Sequence, residues 1–331
     1  MLLTSEYWLM LKYRRNFISP IRLFNFFLYA TYRPFINWLH LKKVFYAPVS
    51  AFMWTTSRCN KKCSFCMYDD ELNKEKVDDL TLEKFSELML TGPFLRNLHL
   101  AFYGGEPFLN KDLFKMIRVA KEKGLITTVT TNGNFLETRA AELAESPPDF
   151  ITVSYYPENY DLLKRGLPAL PRNTVRKLNF ILSKQTIEHV GAALELAIKN
   201  KMDVFGIDPI SDRNRNHSDV IFENSIEMKA LKEKVNGLIR GTGLRVKWPK
   251  TKTEIKKNHT SCFFMWDTVY MNKNGDWGPC SEWTLKSYQK RDAFVWNSRW
   301  YQEQRANHFV NGKTNKFCQN CIYKFDSSMN L

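Results

Sequence analysis

The chain has 331 residues, of which 44% are hydrophobic and 14% aromatic, a composition that excludes a disordered polymer and can supply a sizeable core. Its 49 Lys and Arg residues outnumber its 34 Asp and Glu residues, which gives a formal net charge of +15 at pH 7. This excess favours an anionic partner, such as a membrane surface, a phosphorylated substrate, an acidic electron carrier or nucleic acid, without choosing among them.

The first 48 residues differ in composition from the rest of the chain. Residues 1–50 hold thirteen aromatic residues and seven Lys or Arg residues but a single acid, Glu6. The longest uncharged apolar stretch, 23–32, has ten residues, about half of what a membrane-spanning helix needs. The segment has neither the continuous apolar core nor the cleavage site that would indicate a signal peptide. Pro20 and Pro34 predict that the segment is divided into short helices.

Three interpretations of residues 1–48 stay open. Basic side chains among Trp, Phe and Leu are typical of helices that lie in a membrane interface. The same segment could instead pack as a cap on the body of the protein, or bind a partner protein. We expect a cytoplasmic protein with peripheral contact to the inner face of the membrane.

Strand and helix patterns alternate between residues 49 and 245. Apolar and β-branched runs predict strands at 49–56, 98–103, 126–131, 150–155, 175–182 and 204–207. Helical periodicity predicts helices at 81–90, 112–123, 137–144 and 187–199. This order predicts an α/β fold, a partial (β/α)6 TIM-like barrel whose active site lies at the carboxyl ends of the strands. Residues 247–257, with five Lys residues and Pro249, are the predicted linker to a small domain at 246–331.

The seven cysteines fall into two widely separated groups. They are Cys59, Cys63, Cys66, Cys262, Cys280, Cys318 and Cys321. A secreted disulfide framework would be denser, so metal ligation in a reducing compartment is the better interpretation. The first group, C-x3-C-x2-C, has one ligand too few to close a 4Fe-4S cluster, whereas four cysteines in the second group could close a site. Zinc is the alternative for each group.

The second predicted strand ends in Gly104-Gly105-Glu106-Pro107. Backbone that approaches a ligand closely needs glycine, and a neighbouring carboxylate can hold an ammonium group. Alone, this tetrapeptide could be only a tight turn between a strand and a helix. Its position one strand after the cysteine triplet favours a binding role.

The cysteine motif, the Gly-Gly-Glu-Pro turn, the sequence Thr131-Asn132-Gly133 and the strand–helix order together resemble the radical S-adenosylmethionine (radical SAM) superfamily. The resemblance covers most of residues 49–245. It implies that Cys59, Cys63 and Cys66 bind a 4Fe-4S cluster whose fourth iron chelates SAM, and that one-electron cleavage of SAM yields a 5'-deoxyadenosyl radical that abstracts hydrogen. The implied SAM contacts are Phe65 at the adenine, Gly104, Gly105 and Glu106 at the methionine moiety, and Asn132 and Ser154 at the carboxylate or ribose.

The carboxyl-terminal region carries a predicted hairpin, with strand 266–271, a turn at Asn274-Gly275 and a return at Asp276-Trp277. With the later C-x2-C pair it resembles the SPASM/twitch extension of radical SAM enzymes. The resemblance implies an auxiliary 4Fe-4S cluster with four ligands, Cys262, Cys280, Cys318 and Cys321. A structural zinc site is the alternative.

Polar residues after the later strands are candidates for substrate handling. They are Tyr155, Tyr156, Asp208, Arg213 and Glu282. An acid there could take a proton from an oxidised substrate radical, and an arginine could hold an anionic substrate group. Each of these residues could equally have a structural role.

We expect an oxidoreductase-type radical SAM enzyme that acts on a sugar-like, lipid or cell-envelope precursor and receives electrons from a reductase such as flavodoxin or ferredoxin. A peptide-modifying SPASM-type maturase is the alternative. The rival from another class is a non-enzymatic zinc or nucleic-acid-binding protein. A nucleic-acid partner is not expected, because the basic residues are spread along the chain instead of clustered.

Overall fold

The computed structural model describes residues 18–63, 65–66, 79–89, 95–210, 218–222, 225–249, 264–272, 275–279 and 296–309. The strands are β1 (Ser50–Trp54), β2 (His99–Tyr103), β3 (Ile126–Thr131), β4 (Phe150–Tyr155), β5 (Val175–Leu182), β6 (Val204–Pro209), β7 (Arg245–Lys247), β8 (Thr268–Met271) and β9 (Trp277–Gly278). The helices are α1 (Pro20–Trp38), α2 (Leu82–Met89), α3 (Leu113–Glu122), α4 (Ala140–Glu145), α5 (Tyr160–Gly166), α6 (Val190–Lys199), α7 (Ile226–Ile239), α8 (Phe264–Asp267) and α9 (Arg299–Phe309).

The nine described strands form one sheet in the order β7-β6-β5-β4-β3-β2-β1-β8-β9. Strands β1 to β7 are parallel to their neighbours, β8 is parallel to β1, and β9 is antiparallel to β8. Because the edge strands β7 and β9 do not pair with each other, the barrel stays open. The prediction of an α/β fold with a partial barrel is therefore confirmed.

The predicted bounds of β3, β4 and β5 agree with the structure because their patterns are strong. Along β4, the buried residues Ile151, Val153 and Tyr155 alternate with half-buried ones, as expected where one face packs on the core. In α3, the buried residues recur at helical spacing, and Gly124 follows the helix with φ of +75°, a conformation that glycine adopts without strain.

Two boundaries in the carboxyl-terminal part differ from prediction. Residues 245–247 form the edge strand β7, so Lys247 belongs to the sheet and not to a linker. Trp266 and Asp267 lie in the helical turn α8, so the strand begins only at Thr268. The hairpin itself is confirmed, with Gly275 at φ +87°, and it extends the barrel sheet beside β1. The domain boundary at residue 246 stays a prediction.

The predicted interruption of the amino-terminal helix at Pro34 is wrong. Pro20 lies in the first turn of α1, where its missing N–H costs nothing, but Pro34 lies inside the helix, which continues to Trp38. Tyr29 and Ile36, on either side of Pro34, are both buried against the body of the protein. This packing offsets the one hydrogen bond that Pro34 cannot donate.

Helix α1 packs against the amino ends of the strands. Arg22 donates to the carbonyl oxygens of Asn97 (2.6 Å) and Lys123 (3.1 Å), which precede β2 and β3. Asn25 exchanges two hydrogen bonds with the backbone of Ala47, before β1. The Tyr29 hydroxyl donates to Asp267 Oδ2 (3.1 Å), before β8. The helix therefore caps the end of the barrel opposite the carboxyl ends of the strands. No described helix has the length and apolarity needed to cross a bilayer.

Candidate functional site

The cysteine loop, residues 55–66, leaves the carboxyl end of β1. Cys59, Cys63 and Cys66 are partly exposed and none forms a disulfide. Burial raises the pKa of the Cys59 and Cys63 thiols above its ordinary value, so a bound metal would be needed to keep them ionised at neutral pH. Among the described residues, no three His, Cys, Asp or Glu side chains converge as a single metal ion requires. A 4Fe-4S cluster would use one thiolate for each of three irons, and so would not need the cysteines to converge on one point.

Arg58 fixes the middle of the cysteine loop. Its guanidinium forms an ion pair with Asp79, with Nε 3.1 Å from Oδ1, and also donates to the carbonyl oxygen of Leu109. Thr56 Oγ1 donates to the same carboxylate at 2.6 Å. The Arg58 carbonyl oxygen accepts from the backbone N–H of Glu106 at 2.8 Å. Hydrogen bonds thus join the cysteine loop directly to the turn after β2.

Both glycines of this turn are required by the protein's own packing. Gly104 has φ of +89°, and a Cβ there would lie 1.6 Å from Trp54 Cδ1. Gly105 has φ of +50°, and its Cβ would lie 2.2 Å from the carbonyl oxygen of Arg58. The sequence predicts that these glycines let the backbone approach a ligand. The structure adds that Gly105 lets the turn touch the cysteine loop.

Glu106 is the buried acid of the site, with 1% of its surface exposed. Its carboxylate accepts hydrogen bonds from Thr131 Oγ1 (2.7 Å) and from the backbone N–H groups of Phe108 (3.0 Å) and Asn132 (2.7 Å). Burial raises its pKa to about 7, because desolvation outweighs these hydrogen bonds. No cationic side chain of the described residues forms an ion pair with it. A ligand ammonium group would supply the missing positive charge.

Asparagine side chains connect the ends of β3 and β4 to the cysteine loop. Asn132 Nδ2 donates to Asn60 Oδ1 at 2.7 Å, within the loop between Cys59 and Cys63. Asn159 Nδ2 donates to the carbonyl oxygens of Asn132 (2.7 Å) and Ser154 (3.1 Å). The two predicted residues Asn132 and Ser154 therefore lie side by side at the site. Several residues that support the site were not predicted to do so, because their partners are distant in sequence. They are Arg58, Asn60, Asp79, Thr131 and Asn159.

An aromatic pair covers one side of the cysteine loop. Phe65 stacks on Tyr156 with ring centroids 6.1 Å apart and an interplanar angle of 20°. Lys61 Nζ lies 4.3 Å from the centre of the Tyr156 ring and 2.9 Å from Glu158. The Tyr156 hydroxyl lies close to Cys63 and Ser154, and burial raises its pKa. The loop after β4 therefore helps to position Cys63.

We expect Tyr156→Phe to bind a cluster but to lower its reduction potential. An O–H dipole directed at a ligating sulfur stabilises the more negative, reduced cluster, and phenylalanine has no such dipole. A redox titration followed by electron paramagnetic resonance measures the midpoint. Tyr160→Phe, at the start of α5, is the control and should leave the midpoint unchanged; an equal shift in both variants would contradict a role for the Cys63 contact.

Residues 54–217 match the family model of the radical SAM superfamily. The chain contains a radical SAM domain. A probable GTP 3',8-cyclase of Sulfurisphaera tokodaii is 31% identical over 163 residues, which are 45% of this chain and 51% of that protein. A PqqA peptide cyclase of Granulibacter bethesdensis is 26% identical over 165 residues, covering 45% and 44%. The chain thus spans about half the length of these curated relatives.

Similarity to solved structures extends beyond residues 54–217. The crystal structure of SuiB from Streptococcus suis bound to S-adenosylmethionine matches with a TM-score of 0.60, covering 84% of this chain and 71% of that one. At 19% sequence identity, this similarity shows a shared fold. It is consistent with the unclosed parallel sheet described above.

The residues predicted to handle substrate lie in different surroundings. Tyr155 is 2% exposed and stacks on Phe180 in the core, and its role in substrate handling stays a prediction. Its neighbour Tyr156, also a candidate, lies beside the cysteine loop, because successive strand residues face opposite sides of the sheet. Asp208 is exposed at the carboxyl end of β6. Arg213, Glu282, Cys262, Cys280, Cys318 and Cys321 lie outside the described residues.

The inner face of the radical SAM domain carries a cluster of polar side chains that was not predicted from the sequence. Lys177 and Asn179 on β5 lie over Gly206 of β6, where a Cβ would come within 2.1 Å of Lys177 Cε and 2.5 Å of Asn179 Oδ1. Lys177 Nζ lies 4.0 Å from Asp208 Oδ2. Asn179 Oδ1 is buried and accepts no hydrogen bond from the described residues. These atoms offer a cation and an acceptor to a bound molecule.

Proposed function

We propose that the chain is a radical SAM enzyme that binds a 4Fe-4S cluster through Cys59, Cys63 and Cys66 and cleaves S-adenosylmethionine by one-electron reduction. The observation that carries this proposal is Glu106, a buried carboxylate without a cationic partner among the described residues, in a turn bonded to the cysteine loop. When bound, the cluster and SAM supply a carbon radical that takes hydrogen from an unreactive position.

The chain's own residues would bind and orient these groups. The three thiolates would hold the cluster, while Arg58 and Asp79 hold the loop in place. Glu106 would pair with the ammonium group of SAM, and its three hydrogen bonds keep the carboxylate oriented for that contact. Asn132 and Ser154 would lie near the remaining polar atoms of SAM, and Phe65 near the adenine.

Metal analysis and a cleavage assay test this proposal. Anaerobically reconstituted protein should hold about four irons in the first cluster, and about eight if an auxiliary cluster is present. After reduction with dithionite it should convert SAM into 5'-deoxyadenosine and methionine. Protein that binds only zinc, or binds iron without cleaving SAM, would support the non-enzymatic alternative.

Glu106→Gln is expected to weaken SAM binding by about 10- to 100-fold. The amide removes the charge that pairs with the ammonium group, and one charged hydrogen bond is worth about 1.5–3 kcal/mol. Equilibrium dialysis of the reconstituted protein with labelled SAM gives the affinity. Glu145→Gln, at an exposed position in α4, is the matched control and should bind SAM normally. Equal iron content in both variants separates loss of SAM binding from loss of the cluster; unchanged affinity in Glu106→Gln would contradict the assigned contact.

For the rest of the reaction we propose an oxidoreductase-type enzyme with a twitch-type auxiliary cluster and a reductase, such as flavodoxin or ferredoxin, as electron donor. The support is the spacing of Cys262, Cys280, Cys318 and Cys321 in the sequence. Lys177 and Asn179 support a substrate with an anionic group and a hydrogen-bond donor. Asp208 and, from sequence alone, Arg213 and Glu282 are the accompanying candidates.

Peptide modification is the second candidate function, and similarity to a PqqA peptide cyclase favours it. Sugar-like and peptide substrates that carry deuterium on carbon separate the two candidates. Deuterium transferred into 5'-deoxyadenosine identifies the class of molecule from which hydrogen is taken. Transfer from peptides alone would overturn the sugar-like assignment.

A further inference from the structure

The outer surface of α1 and the segment after it carry most of the exposed large apolar side chains of the described residues. Eleven such side chains are exposed, and three of them, Leu95, Ile226 and Leu238, lie elsewhere. The other eight form what we call the apolar patch: Ile21, Leu23, Phe24, Phe27, Phe35, Trp38, Leu39 and Phe45. Trp38 is 75% exposed and Phe45 70% exposed. Such a concentration marks an interaction surface.

The apolar patch is continuous along the helix. At about 100° per residue, Phe24, Phe27, Phe35 and Trp38 fall on one face of α1. The buried residues Arg22, Asn25 and Tyr29 fall on the opposite face, where their hydrogen bonds hold the helix to the barrel. Docking of α1 as a cap therefore uses one face and leaves the aromatic face to solvent.

The sequence segment that carries the apolar patch has charged side chains of one sign. No Asp or Glu occurs between Tyr7 and Tyr68, a stretch that holds ten Lys and Arg residues. Lys42 and Lys43 are exposed directly beyond the end of α1. Aromatic side chains on one helix face with basic side chains beside them match the composition of helices that lie in the interface of an anionic bilayer.

A second copy of the chain fits this surface less well. A two-fold symmetric contact through the apolar patch would bring Lys42 and Lys43 of both copies to the same interface, without a neighbouring acid in the segment. Anionic phospholipid headgroups would neutralise the same charges.

We propose that the apolar patch binds the surface of an anionic phospholipid bilayer, with α1 lying along the plane of the membrane. The aromatic side chains enter the boundary between headgroups and acyl chains, and Lys42 and Lys43 contact the phosphates. The proposal goes beyond the proposed reaction and does not depend on it.

Co-sedimentation of the reconstituted full chain with lipid vesicles tests the proposal. We expect binding to vesicles of phosphatidylcholine with 30% phosphatidylglycerol, roughly tenfold weaker binding to phosphatidylcholine alone, and release by high salt. The triple variant Phe24→Ser, Phe27→Ser, Trp38→Ser should lose at least about tenfold in binding. The matched control Leu95→Ser, Ile226→Ser, Leu238→Ser removes the same number of exposed apolar side chains and should bind as the unchanged protein does.

Three outcomes would overturn the proposal: no sedimentation of the unchanged protein, equal losses in the two triple variants, or a concentration-dependent dimer that the apolar-patch variant abolishes. Deletion of residues 1–17 tests whether this segment, and not lipid, occupies the apolar patch. Stronger vesicle binding after the deletion would mean that the segment covers the patch. SAM cleavage and the thermal midpoint, measured on the same samples, verify that the variants are folded. Activity without vesicle binding would reject the membrane proposal alone.

Discussion

Replacement of Cys59, Cys63 or Cys66 by alanine is expected to abolish cleavage of SAM. Each of the three thiolates would hold a different iron, and no other cysteine occurs between Cys66 and Cys262 to replace a missing ligand. We expect 5'-deoxyadenosine formation to fall to the background of the assay, with loss of about four irons per chain. Chromatography of the reaction and iron analysis of the same sample measure both effects.

The matched variant is Cys321→Ala, which changes a cysteine of the second group. If Cys321 is an auxiliary ligand, this variant keeps about four irons and still cleaves SAM, while turnover of substrate is lost. Full activity of Cys63→Ala would overturn the assignment of the first cluster. Loss of all iron in Cys321→Ala would instead mean that the two cysteine groups do not bind separate clusters.

Gly105→Ala should disrupt the site without changing any proposed cluster ligand. The added Cβ would lie 2.2 Å from the carbonyl oxygen of Arg58 and 2.9 Å from that of Thr56, and φ of +50° is itself unfavourable for alanine. Because the contacts are with backbone, the cysteine loop must move. A displacement of about 1 Å in a catalytic group costs on the order of 100-fold in rate. We expect SAM cleavage to fall at least that far and the iron content to fall with it.

Gly237→Ala controls for the general effect of adding a methyl group at a glycine. Gly237 lies inside α7, and a Cβ there would meet nothing within 4 Å. Alanine in a helix interior stabilises by about 0.5–1 kcal/mol relative to glycine, so this variant should retain its activity with a slightly higher thermal midpoint. Normal cluster content in Gly105→Ala would mean that the cysteine loop tolerates movement and that its contact with the turn is not required.

Local patterns predicted the parallel sheet well, because burial repeats at short intervals along each strand. Strands β3 to β5 are examples. The effect of Pro34 was misjudged, since the contacts that hold α1 against the barrel come from Asn97, Lys123 and Asp267, far away in sequence. Propensity alone cannot include such contacts.

The sequence predicts candidate ligands of the site but not the residues that support them. Three closely spaced cysteines and Glu106 are visible as a motif. Asp79 and Asn159 are not, because their roles arise only when the loops after β1 and β4 meet. Tyr155 and Tyr156 could not be told apart from the sequence for a related reason: at the end of a strand, a shift of one residue exchanges the core for the site.

The position of α1 determines how a membrane-bound molecule would be oriented. The apolar patch and the cysteine loop lie at opposite ends of strands of five to eight residues, a separation of roughly 17–26 Å. With the patch on lipid, the barrel mouth would point into the aqueous phase, where an electron donor could reach it without competing with headgroups. A lipid substrate would have to move that distance out of the bilayer to reach the cysteine loop. This orientation therefore favours a water-soluble substrate that the enzyme binds close to the membrane.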